Sequence, residues 1–386
     1  MPSAARHPLP RKGISLSLLH KPRSAAEKLP APPTGPAAHD KLPSLTGLRF
    51  VAAFVVFGFH VDAMGLFEGT ALDAPVHAVF GQGATGVGFF FLLSGFVLTW
   101  SARPGTTARA SWRRRAAKVL PNHVVVWLLA LAALVVTGGG APALPSLVGL
   151  PLLQAWIPVQ DVYFGVNTPA WSLSCEVAFY AAFPLLLRWV TGVRPSRLWP
   201  LAGALVAAVL LVPVLATPMP GELEYWFVYV FPVTRGLEFA LGVVLARVVK
   251  AGLWLPLPLW LAGALSVAAY ALSSRLPDSF GYVAGTVVPL ALLIPAAAVA
   301  DLRGSRSPLR GQSPVLLGEI SFAFYLLHQL ILRVAESLLP LGGLTAAGAL
   351  LMTGLLLLAS LAAAWLLHRW VEQPAMRLLT ANRARV

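Results

Sequence analysis

Arg49 and His60 stand eleven positions apart in the apolar run Leu48 to His60. On a helix at about 100° per residue that step returns to within about 20° of the same face, with roughly 16 Å between the two groups along the axis. One face thus carries a permanent cation at its start and an imidazole well inside. Further along, Arg113-Arg114-Arg115-Ala116-Ala117-Lys118 collects four cations just before Pro121. Guanidinium groups bind phosphates bidentately and keep their charge at any working pH, so this run suits an anion cradle. It equally suits a topological stop that binds lipid headgroups. Glu176, in Trp171-Ser172-Leu173-Ser174-Cys175-Glu176, supplies a carboxylate, and Ser94, Arg235 and Glu238 add polar groups to other apolar stretches. A histidine with a carboxylate near it suits general-base chemistry: the imidazole takes a proton near neutral pH and the carboxylate fixes its tautomer.

The elements that must hold these groups are membrane helices. The chain is 57% hydrophobic and 11% charged, a balance outside the soluble globular range. Spans of about 20 apolar residues, enough for a bilayer core of about 30 Å, recur near 48–66, 84–101, 119–138, 169–188, 198–217, 226–247, 255–273, 282–300, 314–338 and 344–368. The prediction is an all-α polytopic membrane protein of about ten helices, with a proline-bounded interfacial or re-entrant helix over 145–158. Segments 1–49, 103–118, 188–197, 247–250, 303–310 and 369–386 hold 26 of the 29 basic residues, and the loops between them carry six acidic residues with Arg275 as their cation. That alternation sets both termini in the cytoplasm and the protein in the cell membrane as a multi-pass chain. It also accounts for the formal charge of +14 without nucleic acid. Residues 1–44 read as a disordered, basic, proline-rich tail, 45–376 as the transmembrane domain and 377–386 as a short basic tail.

Counted from the helix ends, His60 lies about 16 Å from the inner edge and Glu176 about 10 Å below the outer one, so their depths nearly coincide. Ser94, Arg235 and Glu238 fall near the same layer. Each has a plainer reading: a histidine as an interhelical hydrogen-bond partner, Arg235 and Glu238 as a self-neutralising pair, Ser94-Gly95 as a packing site. Their shared depth argues for a site. With one cysteine, Cys175, and no His-Glu-x-x-His, Gly-x-Ser-x-Gly or Walker pattern, neither a metal site nor a covalent serine intermediate is expected.

These residues resemble the acyltransferase-3 family of integral-membrane O-acyltransferases. The resemblance runs over about residues 42–376 and rests on Arg49 with His60, Phe89 to Phe96 with Ser94-Gly95, the arginine run before Pro121, and Trp171-Ser172-Leu173 with Glu176, Phe179, Tyr180, Phe183 and Pro184. Arg235, Phe239 and Gly242 continue it, then Leu317 to Phe322 with Tyr325, Leu326 and His328, then Glu372-Gln373-Pro374. Phe322 stands where many members carry tyrosine. The resemblance implies transfer of an acyl group, usually acetyl, from acyl-CoA as co-substrate to a hydroxyl, with no bound cofactor. It implies His60 as catalytic base and Arg49, Arg113, Arg114 and Arg115 as donor-binding; the residues themselves add Glu176 beside the base and Lys118 to the cation cluster, and Ser94, Trp171, Ser172, Arg235, Glu238, Tyr325 and His328 complete the expected pocket. The Trp171 to Tyr180 passage is similar to macrolide 3-O-acyltransferases of actinomycetes, which makes a macrolide the expected acceptor. A sugar or glycolipid of the cell envelope is the alternative within the family, and a transporter or flippase using the same polar groups as a relay is the alternative outside it.

Overall fold

A computed structural model describes residues 42–380, and among them every regular element is helical. Among the described residues, nine stretches are long and apolar enough to cross a membrane: α1 (Pro43–Ala63), α2 (Asp73–Ser101), α3 (Ala108–Val136), α4 (Ala170–Gly192), α5 (Pro195–Ala216), α6 (Gly221–Lys250), α8 (Asp278–Leu302), α9 (Gln312–Leu338) and α10 (Ala346–Thr380). The seventh expected span is the shorter apolar helix α7 (Leu259–Ser273), whose 15 residues extend roughly 22 Å. Pro256 and Pro258 delay its start.

The direction of α9 counts α7 as a crossing. Contacts between α1 and α9 advance together along both chains: Thr46 meets Gly318, Phe50 meets Phe324, Phe57 meets Phe324 and His328, and His60 meets His328. The two helices therefore run parallel, which requires an odd number of crossings between them. The six long stretches from α2 to α8 supply an even number, and α7 makes seven.

Glycines set the closest approaches. A side chain at Gly318 would collide with the Thr46 carbonyl, and one at Gly95 or Gly242 with the Phe239 or Leu92 carbonyl, so α9 lies backbone to backbone on α1 and α6 on α2. The start of α1 is fixed in the same manner by polarity. Pro43 occupies the first turn, where its missing N–H costs nothing, and Asp301 accepts from the Ser44 backbone N–H at 2.8 Å and from its hydroxyl at 2.7 Å. Helix α1 thus begins at Pro43. The tail expected over 1–44 lies outside the described residues up to 41, and of 377–386 the part up to Thr380 is still helical.

Three boundaries depart from a reading by hydropathy. Helix α3 starts at Ala108, capped by Thr107, so the arginine run lies within its first turns. Helix α6 is interrupted: a π-turn over Trp226–Val230 ends at the extended residue Phe231, and Pro232 restarts the helix. Helix α10 passes through a second π-turn, His368–Glu372, before its last turns. The stretch 145–158 forms the short helix Ala143–Gly149 and a 3-10 turn, Gln154–Trp156, as its prolines dictate.

Candidate active site

The parallel packing of α1 on α9 brings two imidazoles together. His60 Nδ1 lies 3.0 Å from His328 Nε2, and His328 Nδ1 lies 3.1 Å from the Phe324 carbonyl oxygen. A carbonyl only accepts, so His328 Nδ1 carries the hydrogen and its Nε2 the lone pair. His60 Nδ1–H then donates to that lone pair, and the neutral pair leaves His60 Nε2 as an unprotonated base. Phe57 and Phe324 pack on the His328 ring, which is fully buried, while His60 is half-buried and lines a cavity of about 540 Å³. The walls of that cavity mix the aromatic rings of Trp171, Tyr225 and Tyr229 with Asp161, Gln329 and Arg333.

A second, smaller cavity of about 140 Å³ gathers the cations. Arg49 reaches it from α1, and Arg115 and Lys118, three apart on one face of α3, reach it from that helix. Arg113 and Arg114 lie on the exposed face of α3, outside this lining. The carboxylate in the cavity is Glu176, which accepts from Tyr180 Oη at 2.6 Å; Ser94 Oγ donates to the same Tyr180 oxygen at 3.3 Å. Tyr180 is itself held by Trp112 Nε1, which donates to its backbone carbonyl at 2.9 Å, and its ring lies under the Arg115 guanidinium at 5.9 Å. The π-turn of α10 turns Glu372 inward. Its carboxylate accepts from Asn122 Nδ2 at 3.1 Å and stands 3.8 Å from Lys118 Nζ, which fixes the ammonium toward the cavity.

Tyr325 and Val87 border both cavities. The Tyr325 hydroxyl is 3.0 Å from Ser172 Oγ, and Ser172 donates to the Pro169 carbonyl at 2.8 Å, so Tyr325 donates to Ser172. Trp171 stands on the His60 side with its ring against Tyr229. Arg235 and Glu238 sit in neither cavity. They form an ion pair of 3.1 Å, with the guanidinium 5.0 Å from the Phe91 ring and 5.3 Å from the Tyr229 ring, and Gly88 leaves room for the carboxylate.

The structure does not bring Glu176 to His60; the ring partner of His60 is His328. The depth estimate placed Glu176 too close to His60: Glu176 faces the cation cavity with Arg49, whereas the α4 residues beside the His60 cavity are Pro169 and Trp171 at its start. Tyr180 and Glu372, quoted above only as motif residues, order the cations. A signal for Glu372 was present, since a carboxylate followed by Gln373-Pro374 at the end of an apolar helix is costly unless paired.

The sequence pattern of the acyltransferase-3 family, described as an acyltransferase domain, matches residues 42–369. The chain belongs to the acyltransferase-3 family. Among its relatives, Acyltransferase MdmB of Streptomyces mycarofaciens is 39% identical over 366 residues, covering 89% of this chain and 94% of that protein. Exopolysaccharide production protein ExoZ of Rhizobium meliloti (strain 1021) is 30% identical over 65% of this chain and 77% of its own length. Nodulation protein 10 of Rhizobium leguminosarum bv. viciae is 27% identical over 78% and 84%. No solved structure matches the chain significantly. As a member of this family, the protein is a membrane acyltransferase.

Proposed function

We propose that this acyltransferase moves an acyl group, acetyl in the usual case, from cytoplasmic acyl-CoA to a hydroxyl of a macrolide or similar glycosylated natural product. The observation that carries the reading is the shared wall at Tyr325 and Val87, with Arg49, Arg115 and Lys118 on one side and His60 Nε2 on the other. Phosphates of the donor bind the cations, and the flexible pantetheine arm leads the thioester toward Tyr325. The acceptor hydroxyl donates to His60 Nε2 from the larger cavity. As its proton moves to His60, the oxygen attacks the thioester carbonyl, the carbon–sulfur bond breaks, and the thiolate leaves toward the cations. The imidazolium is stabilised by the His328 lone pair and returns its proton to the thiolate, so the products are an ester and free coenzyme A.

The macrolide assignment rests on the Trp171 to Tyr180 passage, and the aromatic and polar walls around His60 suit the faces and hydroxyls of a sugar-bearing acceptor. The likeness to Exopolysaccharide production protein ExoZ favours a cell-envelope or exported saccharide as the second reading. The test is to incubate the purified protein with acetyl-CoA and, separately, macrolide and oligosaccharide acceptors, following thiol release and acceptor mass. Thiol release with an acetylated macrolide supports the proposal; acetylation of saccharides alone moves it to the second reading, and no thiol release with any acceptor removes it.

A further inference from the structure

A third cavity, about 730 Å³, lies away from the catalytic groups between α1, α7 and α8. Leu48, Val51, Ala52 and Val55 form one of its walls, a stripe at helical spacing on the same helix that carries Arg49 and His60. The interior is dry in character. The hydroxyls of Thr85, Ser266, Tyr270 and Thr286 each donate to a backbone carbonyl, so none of these four offers a free hydrogen to an occupant. Its mouth differs: Arg303 and Arg306, in the loop after α8, border the opening, are exposed, and have no ion-pair or hydrogen-bond partner among the described residues. Arg310 in the same loop is engaged with Asp301 and the Ser305 carbonyl.

An apolar groove at bilayer depth that ends in two unpaired guanidinium groups is complementary to a molecule with hydrocarbon chains and an anionic head. We propose that this groove binds an anionic phospholipid, with its phosphate on Arg303 and Arg306 and an acyl chain along Val51, Val55 and Leu290. The site is independent of the acyl donor and acceptor. It gives the lipid a direct contact with α1, and so a means of stabilising the helix that positions the base.

The test uses the full-length protein purified in mild detergent and titrated with phosphatidylglycerol or phosphatidylcholine, with retained lipid read by native mass spectrometry. Wild type should retain the anionic lipid preferentially, and replacing Arg303 and Arg306 together with alanine should cut that preference by about fivefold for each arginine. Gly263 borders the groove with open space above its Cα, so Gly263→Phe should fill the cavity and reduce retention of phosphatidylglycerol while leaving the arginines in place. Equal retention of the two lipids by wild type, an unchanged preference in the Arg303→Ala/Arg306→Ala protein, or undiminished phosphatidylglycerol on Gly263→Phe would each overturn the assignment.

Discussion

The tautomer of His60, the proposed base, is set by an oxygen on another helix. Because the Phe324 carbonyl takes the His328 Nδ1 proton, His328 can only accept from His60, and the reactive lone pair on His60 Nε2 turns to the cavity. His328→Ala should therefore lower kcat by about 10²-fold with the acyl-CoA KM nearly unchanged, and His328→Gln, whose amide oxygen can accept from His60 Nδ1–H, should recover part of it. Equal losses for both variants would reduce His328 to packing. The cation cavity separates the arginines in the same fashion: Arg115→Ala should raise the acyl-CoA KM about tenfold, whereas Arg114→Ala, on the exposed face, should leave it within about twofold. Steady-state kinetics on the two variants distinguishes the donor site from a general charge effect. The spacing of Arg49 and His60 and the density of the arginine run were legible in sequence. The histidine pair was not, since its members are 268 residues apart and only the register of α1 on α9 brings them together.

At the scale of elements, hydropathy found the nine long stretches and the shorter α7 but not their internal breaks. It measures apolar runs, and α3 continues as a helix through Arg113 to Lys118 because backbone hydrogen bonding and the Thr107 cap are indifferent to those charges. The interruption at Phe231 had a local signal in Pro232, which cannot donate to the preceding turn. The close contact of α2 with α6 depends on Gly95 and Gly242, and neither glycine carries chemistry. Gly242→Val should force these backbones apart at a cost of about 1–3 kcal/mol or more, seen as a lowered melting temperature and loss of monodisperse protein on size-exclusion chromatography. A Gly242→Val protein as stable as wild type would mean that α2 and α6 do not pack through these glycines.

For the whole molecule, the account requires the donor and acceptor to meet from opposite sides at Tyr325. Basic loops mark the cytoplasmic side in the sequence, and the parallel run of α1 and α9 agrees with the parity that this topology needs. Cys175, the one cysteine, is buried, so single introduced thiols can report sidedness with little background. In right-side-out vesicles a membrane-impermeant maleimide should label Glu336→Cys, at the far end of α9, and spare Arg194→Cys, in the loop between α4 and α5; the reverse pattern would invert the topology. What sequence and charge could not give was which cavity each polar group faces, because depth along a helix leaves its rotation about neighbours undetermined. In the proposed mechanism His60 removes the acceptor proton at the junction of the two cavities. That step is tested most directly by measuring acetyl-CoA cleavage and acceptor acetylation together in wild type and in His60→Ala protein of equal membrane content. The account predicts one thiol freed per ester formed by wild type and loss of both by about 10²-fold or more in His60→Ala; ester formation at the wild-type rate by His60→Ala would contradict it.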